Sequence, residues 1–227
     1  LTLGTLLVLA PTGRSFAERA RPPFGLPFST PSGPSTWLLS QVFGNTTTAY
    51  QYREDWYSAG QGLHFGLDFS TPCGTEVVSI GRGTVVKVDA SEHGSGPHNL
   101  LIRHEEQGYV SLYGHLLERP HLNIGQRVRR GEVIGWSGDP DGTCTSRPHL
   151  HLEIRSLNYG VAYNPIPLID ADWESLALVG PSPTGFQRDL RDPRRWQFID
   201  DQPDVGFGGP LLNDYLLPWP PAWRGYS

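Results

Sequence analysis

The sequence predicts an all-β domain of antiparallel strands, and three observations lead to that prediction. Short runs of β-branched and aromatic residues recur at intervals of about ten residues, separated by glycine, proline or asparagine. The chain contains 27 glycines and 21 prolines, which favour turns over long helices. No long window shows a 3.6-residue apolar period, and no internal repeat stands out. We therefore expect an antiparallel sheet in a barrel- or sandwich-like arrangement, with loop-rich N- and C-terminal extensions.

The predicted strands lie in the middle of the chain and end near residue 156. They are TEVVSI (75–80), GTVVKVDA (83–90), NLLIRH (99–104), GYVSLYGHL (108–116), two within QRVRRGEVIGWSG (126–138), and HLHLEIRS (149–156). The stretch before them, 37–63, is aromatic and interrupted by glycine, which is typical of a packed loop rather than a helix.

The first ten residues are mostly apolar, and small residues follow at Ser15 and Ala17. Small residues at such positions suit a signal-peptidase site, and the apolar run is too short to cross a bilayer. We interpret residues 1–17 as the remnant of a signal peptide, with a buried strand or a short membrane anchor as the alternative. Because the chain lacks methionine, we do not expect Leu1 to be the native start.

Composition divides the rest of the chain into three expected parts. Residues 18–36 are rich in proline, serine and arginine and are predicted to be a linker, and residues 37–169 are expected to form the domain. Residues 170–227 are rich in tryptophan, proline and aspartate. Because their aromatic side chains need burial, we expect them to form a C-terminal extension packed on the domain.

The charge of the chain argues against two classes of partner. The formal net charge is -5 at pH 7, and no basic patch indicates binding to nucleic acid or to an anionic membrane surface. We expect no stable membrane span, no nucleic-acid partner and a monomer.

The stretch RPHLHLEI (147–154) places His149 and His151 two positions apart in a predicted strand. Alternate residues of a strand share a face, with Cα atoms about 6.6 Å apart, so both imidazoles can reach one point above the sheet. A solvent-facing polar strand would also explain the pair. Spacing alone does not say which of the two histidines would bind a metal.

A second candidate pair, His64 and Asp68, is separated by four positions. Both are suitable zinc ligands, but an extended strand would hold their Cα atoms about 13 Å apart. The segment should therefore bend, and Gly66 is the residue best able to permit it. A helical turn would also bring the two together, but apolar Phe65 and Leu67 favour a loop that enters a strand.

The third candidate is His115, which lies in the run YVSLYGHL. Strand alternation would put it on one face with Tyr109, Ser111 and Tyr113. A single histidine in a strand is more often structural. Beside two other histidine-containing motifs, a catalytic role becomes credible.

In order, the three motifs HFGLD (64–68), YGH (113–115) and HLH (149–151) resemble the lysostaphin/LytM-type zinc metallopeptidases. Most members of that family are peptidoglycan endopeptidases, and their signature is His-x-x-x-Asp, Tyr-x-His and His-x-His. The flanking stretches GLDFSTPCGTEVVSIGRGTVV and GQRVRRGEVIGWSG also resemble family segments. The resemblance covers about residues 60–156 and says little about the C-terminal extension.

The resemblance implies a role for each residue of the three motifs. It implies that His64, Asp68 and His151 bind one Zn²⁺ per chain and leave one coordination position for water, whose pKa the metal lowers toward about 7. It also implies that His149 is the general base and that His115 supports the oxyanion or shares the proton transfer.

Four further residues are candidates for oxyanion or substrate contacts. Tyr57 lies near the position of a family tyrosine, Asn99 lies in a Gly/Pro-rich loop expected to border the cleft, and Tyr113 belongs to the central motif. Arg147 stands where many members have glycine, so its guanidinium would narrow the cleft or contact a peptide carboxylate. The histidines at 93, 98, 104 and 121 are expected to lie outside the metal site.

The two cysteines flank the predicted ligands, since Cys73 follows Asp68 and Cys144 precedes His149. If the two metal-bearing strands are neighbours, as a shared zinc requires, the cysteines are close enough to bridge. An exported protein would favour that disulfide.

These expectations combine into a secreted or periplasmic zinc endopeptidase that hydrolyses the peptide cross-bridges of bacterial peptidoglycan. The alternative is a catalytically silent LytM-like module that binds or activates cell-wall hydrolases. Such members typically lose zinc ligands, whereas every expected ligand is present here. A third interpretation, a biotinyl or lipoyl carrier hairpin at VRRGEVIGWSG, lacks the required lysine at a turn, because Lys87 lies in an alternating strand.

Overall fold

The computed structural model describes residues 21–179 and 199–213. Its strands are β1 (Leu38–Gln41), β2 (Leu67–Ser70), β3 (Glu76–Val78), β4 (Gly83–Val88), β5 (His98–His104), β6 (Tyr109–Leu116), β7 (Arg127–Val128), β8 (Val133–Trp136), β9 (His149–Ser156), β10 (Val161–Tyr163) and β11 (Val205–Gly206). The helices are α1 (Thr47–Gln51) and α2 (Trp173–Val179), with 3-10 turns at Ser58–Gly60, Ser91–His93 and Ile166–Leu168. The signal peptide predicted for residues 1–17 lies outside the described residues.

Nine of these strands form one antiparallel sheet in the order β1-β2-β9-β6-β5-β4-β7, with β10 beside β9 and β11 beside β10. Strands β3 and β8 pair separately in a two-stranded antiparallel sheet. The predicted antiparallel, all-β fold is therefore confirmed. Within the described residues the large sheet stays open between its ends at β1 and β7 and does not close into a barrel.

Strand β9 shows how the sheet separates its core from its site. Leu150, Leu152 and Ile154 are fully buried in the main hydrophobic core. Because successive side chains of a strand point to opposite faces, the alternating residues His149 and His151 lie on the other side of the sheet. The leucine between the two histidines therefore fixes which way both imidazoles point.

The described part of the predicted linker packs into the same core. Phe24 and Phe28 are buried there, and the ring of Phe28 stacks on that of Trp37 at 4.9 Å between centroids. The indole Nε1 of Trp37 donates a hydrogen bond to the carbonyl of Thr30 at 2.8 Å. Residues 21–36 thus form part of the folded body, while the division of the chain at residue 36 stays a prediction.

Residues 199–213, here called the C-terminal segment, also pack on the sheet. Its strand β11 pairs with β10, and Val205 is fully buried. The other residues of the predicted extension beyond α2 lie outside the described part of the chain. Neither helix in the described residues has the length and apolar character needed to cross a membrane.

Candidate metal centre

Strands β2 and β9 lie side by side and bring two of the predicted motifs together. In their antiparallel register Asp68 lies opposite His151 and Ser70 lies opposite His149. Directly opposed residues share a face, so the carboxylate of Asp68 meets the imidazole of His151. The preceding loop brings in His64, whose backbone pairs with Gly44 through two hydrogen bonds of 2.7 and 2.9 Å.

Gly66 makes room for this arrangement. A Cβ atom at this position would lie 2.6 Å from Cε1 of His151 and 2.7 Å from the carbonyl oxygen of Leu152. Any side chain here would therefore push His151 away from its position. The sequence predicts that Gly66 permits a bend. In the structure, the imidazole of His151 also occupies the space that a side chain at Gly66 would need.

Three ligand atoms converge, from His64, Asp68 and His151, all of which are buried. Nε2 of His64 lies 3.3 Å from Oδ1 of Asp68 and 3.3 Å from Nδ1 of His151. Oδ1 of Asp68 and Nδ1 of His151 lie 2.7 Å apart. Ligands about 2.0 Å from a tetrahedral zinc are separated by about 3.3 Å, so two of the three spacings already suit that ion. The cluster can hold a metal ion.

The tautomer of His64 also suits a metal. Its Nδ1 lies 2.8 Å from the carbonyl oxygen of Val42, which can only accept, so Nδ1 carries the hydrogen. In the neutral ring Nε2 then presents a lone pair to the cluster. Such a contact to the non-ligating nitrogen orients metal-binding histidines in general.

His151 is held from its other side by Glu153, which the sequence analysis did not single out. Nε2 of His151 is buried and lies 3.3 Å from Oε1 of Glu153, in a contact outside hydrogen-bond geometry. Glu153 is itself fully buried and accepts from Nε and Nη2 of Arg155 at 2.6 and 2.9 Å. Glu153 follows His151 by two positions on the same strand face, and this spacing was the available signal.

The electrostatics of the cluster favour a positive charge at its centre. Burial opposes ionisation of Asp68, but the surrounding imidazoles of His64, His149 and His151 outweigh it and hold the pKa of Asp68 well below its usual range. Burial also disfavours a charged His151, yet Asp68 and Glu153 raise the pKa of His151 to about 9. Carboxylates that stabilise an extra proton here would equally stabilise a metal cation.

His149 lies beside the cluster with its acceptor nitrogen facing inward. Its Nδ1 lies 2.7 Å from the carbonyl oxygen of Arg147 and therefore carries the hydrogen. Its Nε2 lies 3.9 Å from Oδ1 of Asp68. The ring is thus oriented with a lone pair toward the space above the three ligand atoms.

His115 reaches the same space through an unusual backbone conformation. Gly114, not His115, lies opposite His151, so regular alternation would turn His115 to the other face. Its φ of 56° is left-handed, and the imidazole instead lies 4.6 Å from that of His149 between ring centroids. The prediction that His115 and Tyr113 share a face is therefore wrong, because His115 itself leaves the extended conformation.

The protonation of His115 follows from its surroundings. Its Nδ1 donates to the carbonyl oxygen of Gly96, so Nε2 is the free nitrogen. Burial, together with the nearby rings of His149 and His151, lowers the pKa of His115 to about 3. His115 is consequently a neutral acceptor at neutral pH.

Two of the predicted substrate contacts lie elsewhere. Tyr113 is fully buried in the main core, and its hydroxyl accepts a hydrogen bond from the backbone of Ile80 at 2.9 Å. Asn99 is buried, and its side-chain amide bonds the backbone of Ala90 and Gly94. Both side chains are used for folding, which corrects their prediction as substrate contacts.

The other two predicted contacts line an open cleft of about 330 Å³ that also contains the histidines of the cluster. Tyr57 packs edge-on to His64 at 5.7 Å between ring centroids. Burial and the charge of Asp68 raise the pKa of Tyr57 above its usual range, so its phenol stays protonated. The guanidinium of Arg147 lies 4.7 Å over the ring of Trp56, the residue before Tyr57.

A disulfide and a buried carboxylate hold the loop that carries Arg147. Cys73 and Cys144 form a disulfide with Cα atoms 5.8 Å apart, which confirms the predicted bridge. The buried carboxylate of Asp139 accepts from the backbone of Ser146 and of Arg147 at 2.9 and 3.1 Å. Asp139 could not be predicted from the sequence, because its role depends on the path of the loop.

The remaining histidines have other neighbours. Their contacts are His93 with Arg155, His98 with Asp89, His104 with Ser111, and His121 with Glu118. None of the four belongs to the candidate metal cluster found in the described residues.

Residues 62–165 match the family model described as Peptidase family M23. The chain contains a domain of peptidase family M23. This M23 domain includes all three motifs on which the resemblance to lysostaphin/LytM-type enzymes was based, and that resemblance is confirmed.

Known relatives are similar to the M23 domain and its flanks. Lysostaphin of Staphylococcus simulans is 31% identical over 153 residues, which is 65% of this chain and 30% of lysostaphin. Glycyl-glycine endopeptidase ALE-1 of Staphylococcus capitis is 30% identical over 60% of this chain and 35% of that protein. Peptidoglycan DD-endopeptidase ShyB of Vibrio cholerae is 36% identical over 48% of this chain and 23% of its own length. The chain thus spans about a third or less of each of these relatives.

Two solved structures resemble the chain over part of its length. The catalytic domain of lysostaphin from Staphylococcus simulans has 29% identity and a TM-score of 0.40, covering 47% of this chain and 78% of that domain. A zinc-containing peptidase from Vibrio cholerae has 28% identity and a TM-score of 0.46, covering 63% of this chain and 39% of the other.

Proposed function

We propose that the M23 domain is a zinc-dependent endopeptidase that hydrolyses peptide cross-bridges of bacterial peptidoglycan. The observation that supports this most is the convergence of five side chains, three as a ligand set and two with acceptor nitrogens beside it. Three protein ligands leave a coordination position open, as a catalytic zinc requires. Zinc bound there would acidify a water molecule and polarise the scissile carbonyl.

In this proposal His64 Nε2, Asp68 Oδ1 and His151 Nδ1 hold the ion. His149 acts as the general base, because its hydrogen bond to the Arg147 carbonyl keeps the proton on Nδ1 and leaves Nε2 free to accept one. A base so placed contributes about 10²–10⁴-fold to the rate.

His115 and Tyr57 receive different roles from their protonation states. Because Nδ1 of His115 already donates to Gly96, its Nε2 can accept a proton but has none to give. We therefore assign His115 to accepting a hydrogen bond in the cleft beside His149, because a pKa of about 3 disfavours its full protonation. Tyr57 retains its hydroxyl hydrogen and so is the donor we assign to the developing oxyanion.

We further propose that the protein acts as a monomer outside the cytoplasm, secreted or in the periplasm. The disulfide supports this location, since such bonds persist in oxidising compartments. Fractionation of producing cells, followed by immunoblotting, tests it: protein confined to the cytoplasm would contradict it.

The decisive experiment digests purified peptidoglycan fragments with the zinc-loaded chain and maps the new termini by mass spectrometry. We expect hydrolysis that a chelator abolishes and that His149→Ala lowers by at least about 100-fold. His121→Ala, at a side chain that is 81% exposed, is the matched control and should retain full activity. Folded, zinc-loaded protein without hydrolysis would refute the proposal, and stimulation of another hydrolase by it would support the silent module instead.

A further inference from the structure

Arg147 brings a positive charge to the rim of the cleft. Its guanidinium lies over the ring of Trp56, which in turn stacks on Tyr52 at 4.0 Å between centroids and 11° between planes. Among the described residues, no carboxylate forms an ion pair with Arg147. Packing over an aromatic face orients the guanidinium and leaves the edges that carry its donors available.

The position of this charge is fixed by the backbone. The amide of Arg147 donates to the buried Asp139, and its carbonyl accepts from Nδ1 of His149. The disulfide between Cys73 and Cys144 ties the same loop to the turn that follows β2. The guanidinium therefore starts from a fixed backbone position two residues from the proposed base, so that little order is lost on binding.

The cleft offers no competing acid. Of the described residues that line it, Asp68 is the one carboxylate and Arg147 the one lysine or arginine. Asp68 belongs to the metal cluster, with its Oδ1 2.7 Å from His151. A peptide that enters the cleft thus meets an uncompensated cation matched in geometry to a carboxylate.

We propose that Arg147, supported by Trp56, binds a carboxylate of the peptide substrate. The enzyme should accordingly prefer cross-linked peptides with a free carboxylate near the scissile bond over uncharged oligoglycine. This inference rests on the proposed endopeptidase function and names its substrate class.

Two synthetic peptides test it, identical except that one carries a carboxylate where the other carries a carboxamide. We expect zinc-loaded wild-type protein to show a kcat/KM at least about tenfold higher for the carboxylate peptide, as a hydrogen-bonded charge pair would give. Arg147→Gln should bring the ratio of the two kcat/KM values to within about twofold of unity. Arg147→Lys should restore part of the preference.

Arg82→Gln is the matched control, because Arg82 is exposed, pairs with Glu106 and lies outside the cleft lining. It should leave the preference unchanged. Equal kcat/KM values for both peptides in the wild type would overturn the carboxylate proposal while the endopeptidase function stands.

Binding measurements on the zinc-loaded His149→Ala variant distinguish failure of the carboxylate proposal from failure of the endopeptidase function. Titration calorimetry of both peptides needs no turnover, so it measures the Arg147 contact even if neither peptide is hydrolysed. Tighter binding of the carboxylate peptide that is lost in His149→Ala/Arg147→Gln supports the contact, and equal affinities overturn it.

Discussion

Replacing Glu153 by glutamine keeps the shape of the side chain and removes a buried negative charge. That charge faces two partners, the guanidinium of Arg155 at 2.6 and 2.9 Å and Nε2 of His151 at 3.3 Å. The substitution should therefore lower both the stability of the fold and the affinity for zinc, by amounts that can be measured separately.

The stability loss comes from Arg155, which is 3% exposed. Removing one partner of a buried ion pair costs about 3–5 kcal/mol, because the other charge stays buried. The glutamine retains one oxygen that can accept from Arg155, so we expect about 3 kcal/mol in the metal-free protein. Urea unfolding of metal-free wild type and variant measures this value.

The loss of zinc affinity comes from His151, because the carboxylate of Glu153 contacts Nε2 of its ring and orients it. Losing such a contact weakens metal binding by about 10–100-fold, which equals about 1.4–2.8 kcal/mol. Competition with a chelator of known affinity gives the zinc Kd. At saturating zinc, the stability difference between wild type and variant should grow by the same amount.

Glu106→Gln is the control, since Glu106 is exposed and pairs with a surface arginine. It should change neither quantity by more than about 0.5 kcal/mol. A Glu153→Gln variant that loses stability but binds zinc within twofold of wild type would refute the orienting role and leave Glu153 purely structural.

Three further predictions concern the segments around the site. Burial opposes ionisation of Asp139, but hydrogen bonds from Ser146 and Arg147 outweigh it and lower its pKa to about 2. Asp139→Asn should therefore be less stable than wild type above about pH 4, with the difference vanishing as pH falls toward 2 in urea titrations. Reduction of the disulfide, which joins residues 71 positions apart, should lower the free energy of unfolding by about 4 kcal/mol. Denaturant unfolding with and without reductant measures this difference. Gln61→Ala loses two hydrogen bonds to the C-terminal segment and should lower the thermal midpoint while weakening zinc binding in the chelator assay.

The fold could be predicted largely because its strands depend on local pattern. GYVSLYGHL and HLHLEIRS correspond closely to β6 and β9, the two central strands beside the site. Their alternation also predicts that Leu150 enters the core while His149 and His151 face away from it. Local alternation is a property of the strand itself and can be read without knowing its neighbours.

The parts that could not be predicted depend on distant contacts. Burial of Phe24 and Phe28 could not be predicted from a Pro- and Ser-rich segment, because their packing partners lie elsewhere in the chain. The left-handed backbone of His115 costs about 1–3 kcal/mol on its own. It is compensated by hydrogen bonds of its backbone with Ser95 and Gly138 at 3.0 and 2.7 Å, which no strand pattern reveals.

The family match also does not define the whole structural unit around the metal centre. It covers residues 62–165, yet the C-terminal segment reaches back to the loop that carries His64. The side chain of Gln61 accepts from the backbone of that segment at 2.8 Å and donates to it at 3.1 Å. The side chain of Gln202 accepts a hydrogen bond at 2.8 Å from the backbone of Asn45. Asn45 follows Gly44, whose backbone pairs with His64. Two separate contacts thus fix both sides of one ligand loop, and a truncation at the end of the family match would leave His64 without them.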